Sequence, residues 1–209
     1  MRDLFRRLTV LIGVLLLTAC VSSSVAGPGM RDVVLRFDEP GALAAWHVEG
    51  GDWSVADGRL VGRSLDPSGS VTNEHATYGT WFGDIERVIV RGGLAEGSPD
   101  NFRLAVGAVM QIFNWEVRDG CWFNYGRLES FVPRDVIWPG YEHEIIVESV
   151  DGRVRVVVDN RILWERDGVL RGAVTLHPCF GSTLWVREIV IRGRAVPWVV
   201  VEGPGQPIL

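Results

Sequence analysis

The chain contains no lysine: all 21 of its basic residues are arginine, against 26 acidic ones, giving a formal charge of -5. An acidic chain lacks the basic footprint of a nucleic-acid binder, so no nucleic-acid partner is expected. The all-arginine usage reads as the codon bias of a GC-rich genome. Cysteine is scarce, with three in 209 residues. Together with the scattered His47, His75, His143 and His177, these cysteines show no paired ligand spacing, which argues against zinc. No metal and no cofactor is expected. The longest apolar run falls short of the roughly 20 residues that a membrane-spanning helix needs. From Asp32 to about Gly193 there is neither helical periodicity nor an internal repeat, which excludes bundles and solenoids. A Gly-x-Ser-x-Gly elbow is missing too.

At the N-terminus stand Arg2, Arg6 and Arg7, then the apolar run Leu11-Ile12-Gly13-Val14-Leu15-Leu16-Leu17, then Thr18-Ala19-Cys20. Charged region, apolar region and small-residue site in that order make an export signal. Ending on Cys20 resembles the bacterial lipoprotein signal, which implies cleavage after residue 19 and acylation of Cys20. The protein is then anchored to the membrane by lipid, stably if Cys20 carries more than one chain. Loss of residues 1–19 removes three Arg and Asp3, taking the formal charge from -5 to -7. The expected location is the bacterial cell envelope. Val21 in place of the Asp that commonly retains such proteins in the inner membrane favours the outer membrane where there is one.

Val21 to Met30 is small, polar and Gly/Pro-bearing, so residues 20–30 read as lipidated Cys plus flexible tether. Residues 31–194 are long enough for one well-buried core. Asp-Gly recurs at Asp57-Gly58, Asp119-Gly120, Asp151-Gly152 and Asp167-Gly168, and this dipeptide tolerates the positive φ of tight hairpins. Trp53 to Arg63 and His143 to Val158 read as hairpins. In the second, Val154, Val156 and Val158 share one face and Arg153 and Arg155 the other, the alternation of a half-buried strand. The fold class is all-β, a two-sheet antiparallel sandwich. Residues 195–209 are expected to add an edge strand from Val196 to Val201 and a loose tail. In an exported protein Cys121 and Cys179 are expected to form one disulfide, with two buried thiols as the alternative.

Phe37-Asp38, Trp46, Gly51-Asp52-Trp53-Ser54-Val55 and Asp57-Gly58-Arg59-Leu60 resemble the opening strands of concanavalin A-like jelly rolls, particularly the keto-disaccharide-hydrolase-like and laminin-G-like branches. Tyr141-Glu142-His143-Glu144-Ile145, Val158-Asp159-Asn160 and Leu184-Trp185-Val186-Arg187-Glu188-Ile189 resemble that group's last strands. The resemblance spans about residues 33 to 193. It implies two curved sheets and a ligand, often a glycan, on the concave one. The laminarinase-type branch carries Glu-x-Asp-x-x-Glu on one strand, and no such run occurs here. Asp84-Ile85-Glu86 lacks the third acid, and Glu144 and Glu148 read as solvation of a hairpin.

A two-residue turn at Asp119-Gly120 sets Arg118 opposite Cys121, Glu116 opposite Phe123 and Asn114 opposite Tyr125. Phe113, Trp115, Val117, Trp122 and Asn124 then face the core. Asn114, Glu116, Arg118, Phe123 and Tyr125 face outward, offering the hydrogen-bonding groups and rings that sugars need. A one-residue bulge reverses the two faces and moves the site to Trp115, Trp122 and Asn124. Among nine Trp, Trp46, Trp53 and Trp185 are expected in the core, and Trp81, Trp138 and Trp164 are the candidates for exposure. Trp138 reads as the rim of a groove.

These readings combine into a lipid-anchored carbohydrate-binding or surface-interaction domain with no catalytic residue assigned. Its expected partners are a glycan or polysaccharide and the membrane. A hydrolase related to keto-disaccharide hydrolases, with Glu116 as acid or base, and a structural envelope protein that binds another protein are the alternatives.

Overall fold

The computed structural model describes residues 29–68, 74–99, 101–115 and 118–196. The segment read as an export signal, Cys20, most of the segment read as a tether, Glu116, Val117 and residues 197–209 lie outside them. In chain order the strands are β1 (Arg31–Arg36), β2 (Trp46–Glu49), β3 (Asp52–Ala56), β4 (Arg59–Arg63), β5 (His75–Tyr78), β6 (Trp81–Leu94), β7 (Phe102–Val106) and β8 (Val109–Trp115). They continue as β9 (Gly120–Tyr125), β10 (Leu128–Val132), β11 (His143–Val150), β12 (Arg153–Val158), β13 (Arg161–Asp167), β14 (Leu170–Gly172), β15 (Val174–Pro178) and β16 (Thr183–Val196). A 3-10 turn at Pro40–Ala45 is the one helical element among the described residues.

Two antiparallel sheets result. Nine strands form one, ordered β13-β12-β11-β6-β16-β4-β3, with β1 also on β16 and β14 also on β6. The other has seven, ordered β10-β9-β8-β7-β15-β5-β2. The fold is therefore the expected concanavalin A-like jelly-roll sandwich. Its core interleaves alternate residues of both sheets, which is what period-2 strands require. Phe102, Leu104, Phe113 and Phe123 from the seven-stranded sheet meet Val88, Val90, Val156 and Ile189 from the other, all fully buried. Phe123 lies parallel to Trp164 at 5.9 Å and edge-on to Phe113 at 6.1 Å. Burying one such ring contributes about 1.5 to 3 kcal/mol.

Two of the Asp-Gly turns behave as expected. Asp57 and Gly58 have φ of 52° and 70°, Asp151 and Gly152 of 52° and 74°. Each joins two strands in tight register, Ala56 facing Arg59 and Val150 facing Arg153. Val154, Val156 and Val158 are buried, and Arg153 and Arg155 point out. Asp167-Gly168 instead leads to β14, which leaves β13 and pairs with β6. The turn after β7 is Gly107, at φ 57°, where an added Cβ would stand 1.7 Å from the Arg171 carbonyl oxygen. Only glycine fits there, because this turn packs against the backbone of the other sheet.

The hairpin at Asp119-Gly120 departs from the expected register. Trp115 pairs with Gly120, so the loop has four residues, and the pairing shifts between Ile112 and Trp115. Asn114 takes φ 52° at that bulge. Gln111, not Glu116, faces Phe123, and Val109, not Asn114, faces Tyr125. The irregularity changes the parity of the strand, so Phe123 and Tyr125 turn inward while Trp115, Trp122 and Asn124 turn outward.

The cysteines are corrected as well. Cys121 on β9 and Cys179 just beyond β15 are both buried, and no disulfide joins them. Strands β8 and β7 lie between β9 and β15. Three strand spacings amount to about 14 Å, twice the Cα separation a disulfide spans.

Candidate functional site

The two sheets differ in what they show to solvent. On the nine-stranded sheet arginines and carboxylates alternate across strands and neutralise one another. Arg87 meets Glu148 at 3.1 Å, Arg91 meets Glu144 at 2.8 Å, Arg192 meets Glu86 at 3.0 Å, and Arg194 meets Asp84. Asp84, Glu86, Glu144 and Glu148, the acids considered from sequence, are thus partners in a solvated lattice. Such exposed pairs each contribute little.

On the seven-stranded sheet the outward side chains form two cross-strand rows, built by alternation within each strand and by register between them. One row runs Glu49, His75, His177, Arg103, Ile112, Trp122, Phe131. Beside it runs His47, Thr77, Thr175, Ala105, Met110, Asn124, Glu129. Ala105 and Ile112 are buried although they point outward, so they form a floor between taller neighbours. Trp115 is 6.2 Å from Trp122 and 6.4 Å from Phe131 between ring centroids, and all three are half-buried. The Arg118 guanidinium stands 5.7 Å from the Trp115 ring and 6.0 Å from that of Phe131. One end of the face is therefore aromatic with a cation above it.

The other end is imidazole-rich. The His75 and His177 rings lie 5.4 Å apart, and His75 Nε2 is 3.7 Å from Glu49 Oε2. Burial above all, then the neighbouring His75 and Arg103, lowers the His177 pKa to about 4. Burial also lowers that of His75, against the pull of Glu49 and with the help of His47. Both rings are thus neutral at pH 7, and each can donate one hydrogen bond and accept another. Arg103 donates from Nε to Asn101 Oδ1 at 3.0 Å and lies 5.7 Å from the Phe180 ring. Thr77 and Thr175 share a hydroxyl hydrogen bond at 3.0 Å. Among the described residues that point outward from these strands, the carboxylates are Glu49 and Glu129, on the two edge strands. Six strand spacings, about 29 Å, separate them, whereas hydrolysis of a glycoside needs about 5 to 10 Å.

Of the expected ligand residues, Arg118 lies on this face and Glu116 lies outside the described residues. The others go elsewhere. Asn114 is 2% exposed and pegs the loop after β10: its Oδ1 accepts from Val136 N at 2.9 Å and Ile137 N at 3.1 Å, and its Nδ2 donates to Ile137 O. Phe123 is core. Tyr125 ties the two sheets together, its hydroxyl donating to Val169 O and accepting from Val169 N, both at 3.2 Å. Trp138 is 58% exposed but stands away from the rows, lining a cleft of about 570 Å³ with Arg134, Asp159, Arg161 and Leu163. Trp164, expected near the surface, is buried against Phe123, while Trp81 is exposed. Trp46 and Trp185 are buried and Trp53 half-buried.

The residues that sequence reasoning missed are His75, His177 and Arg103. A partial signal exists in the alternation of Thr175-Leu176-His177 and His75-Ala76-Thr77, with Leu176 and Ala76 facing inward. Nothing local says that β15 lies between β5 and β7.

No protein-family model matches the chain, and no curated protein matches it in sequence. Solved structures match its fold. A prokaryotic β-1,3-1,4-glucanase (lichenase) derived from a mouse hindgut metagenome is 13% identical with a TM-score of 0.57, over 78% of this chain and 99% of that one. A galectin-like protein of unknown function from Bacillus subtilis is 11% identical with a TM-score of 0.59, over 80% and 99%. The transglycosylase Crh5 is 12% identical with a TM-score of 0.56, over 80% and 86%. At these identities the likeness concerns the sandwich alone.

Proposed function

We propose that this is a lipid-anchored, non-catalytic carbohydrate-binding protein of the bacterial cell envelope, with the outer face of the seven-stranded sheet as its glycan surface. The observation that carries the reading is the contrast between the faces: one sheet is covered by mutually neutralised ion pairs, the other by Trp115, Trp122, Phe131, Asn124 and the imidazole-arginine row. Aromatic rings receive the C–H faces of sugars, and amide, imidazole and guanidinium groups take directional hydrogen bonds from hydroxyls. The names of the structural neighbours, a glucanase and a transglycosylase, are in keeping with a glycan as ligand. Binding without cleavage is favoured by the distance between Glu49 and Glu129. Anchoring rests on Leu17-Thr18-Ala19-Cys20, with residues 20–30 as the tether between lipid and domain.

A glycan array probed with the full-length protein in detergent micelles tests the binding. Retention of at least one polysaccharide is expected, weakened about tenfold or more in W115A/W122A with the circular dichroism spectrum unchanged. Retention unaffected by that double substitution would place the ligand elsewhere. Intact-mass measurement of the membrane fraction tests the anchor. Acyl mass on a chain beginning at Cys20 is expected, and C20A should leave an uncleaved precursor.

A further inference from the structure

The outer face of the seven-stranded sheet holds positive groups that the protein does not neutralise itself. Arg103 is hydrogen-bonded to Asn101 and Arg118 lies over two aromatic rings, yet neither has a carboxylate within ion-pair distance among the described residues. On the opposite sheet, in contrast, Arg87, Arg91, Arg192 and Arg194 lie against Glu or Asp, while Arg59 stands over the Trp185 ring. Arg103 uses Nε internally, which leaves the two-nitrogen edge of its guanidinium for a ligand. That edge matches a carboxylate in two parallel hydrogen bonds. His177 is the next side chain in the same row. The nearest carboxylate of the sheet face, Glu49, sits at the far end of the row, beyond His75, with its side chain half exposed.

Resting on the glycan reading above, we propose that the ligand is an acidic polysaccharide, with a uronate carboxylate held by Arg103 and His177 and neighbouring sugar rings on Trp122 and Trp115. Arg103 and the β10 strand that carries Phe131 are three strand spacings apart, about 14 Å, so one chain laid across the strands meets guanidinium, floor and rings in turn. The chain as a whole carries a formal charge of -5, so a polyanion gains no general attraction and must be held at this face. The groups facing His177 and His75 are Arg103, His47 and Glu49. Burial first, then His75 and Arg103, depress the protonation of His177, and a bound carboxylate opposes them. A ligand that raises a histidine's pKa binds more tightly where that histidine is protonated, so affinity rises as pH falls. Uronates stay ionised at pH 5.5, with carboxyl pKa values of about 3.5.

The test is calorimetric titration of the full-length protein in micelles with polygalacturonate and with alginate, each beside its carboxyl-reduced, neutral form. At least about tenfold tighter binding of the acidic polymer is expected. R103Q should bring the ratio of acidic to neutral close to one, the acidic polymer losing far more affinity than the neutral form. Binding of the acidic polymer should strengthen severalfold from pH 7.5 to 5.5, and H177Q should remove most of that response. Equal affinity for the acidic and reduced polymers, or an unchanged ratio in R103Q, overturns the acidic assignment and leaves the glycan face standing. Failure to bind any of the four polymers overturns the assignment as well, and the array then decides separately whether the glycan reading survives.

Discussion

Asn114 is a peg between β8 and the loop that follows β10, held to Val136 and Ile137 by three hydrogen bonds. Replacing it by alanine removes three hydrogen bonds and leaves Val136 N–H, Ile137 N–H and Ile137 C=O without partners. Ile137 is fully buried, so its two groups cannot turn to water, whereas half-buried Val136 regains part of its hydration. Orphaning a buried polar group costs about 1 to 3 kcal/mol. Alanine at φ 52° adds about 1 kcal/mol, because a Cβ is unwelcome in the left-handed region and asparagine tolerates it better. The total for N114A is about 3 to 7 kcal/mol, a large part of a typical domain's stability. N114G loses the same bonds without the backbone penalty and should be about 1 kcal/mol more stable than N114A. Urea titration measures both, read as a fall in the midpoint at constant slope. A loss below about 1 kcal/mol in N114A, or no difference between the two variants, would refute the peg.

Three further outcomes are expected. His177, with its pKa lowered to about 4, is neutral in the folded state where the unfolded chain takes up a proton. The stability it supplies is therefore full above about pH 6.5 and falls as pH drops towards 4, by up to about 3 kcal/mol. H177Q should flatten that slope, and an NMR titration placing His177 near 6.5 would refute it. Denatured but unreduced protein should take up thiol label at both Cys121 and Cys179. In the folded protein Cys121, whose thiol burial pushes up to about 11, should label slowly, and a cystine-containing peptide on mass spectrometry would contradict the strand order. G107A should disrupt the contact with Arg171 and lower the melting temperature by more than about 5 °C, and a melting point unchanged from the parent would show that the turn has room.

The sandwich was legible because its evidence is local. Asp57-Gly58 and Asp151-Gly152 announce their hairpins with residues that accept positive φ, and Val154, Val156 and Val158 announce their inward face by alternation. The faces at Asp119-Gly120 were not legible, because one bulged residue, Asn114, together with a four-residue loop reverses the parity of everything beyond it. Trp164 shows the same limit in another form: a turn follows it in sequence, yet Phe123 of the opposite sheet covers its ring. The imidazole-arginine row depends wholly on long-range pairing. β5, β7 and β15 are neighbours only after the chain has crossed between sheets, and no pattern within His75-Ala76-Thr77 or Thr175-Leu176-His177 names its partner strand.

The most direct test of the glycan face is an NMR titration of the full-length protein in micelles, with the indole nitrogens of its tryptophans labelled, against an oligosaccharide retained on the array. The signals of Trp115 and Trp122 should shift with ligand, while those of buried Trp46, Trp164 and Trp185 stay in place. Shifts confined to Trp138 or Trp81, with Trp115 and Trp122 unmoved, would contradict the assignment of the seven-stranded sheet as the binding surface.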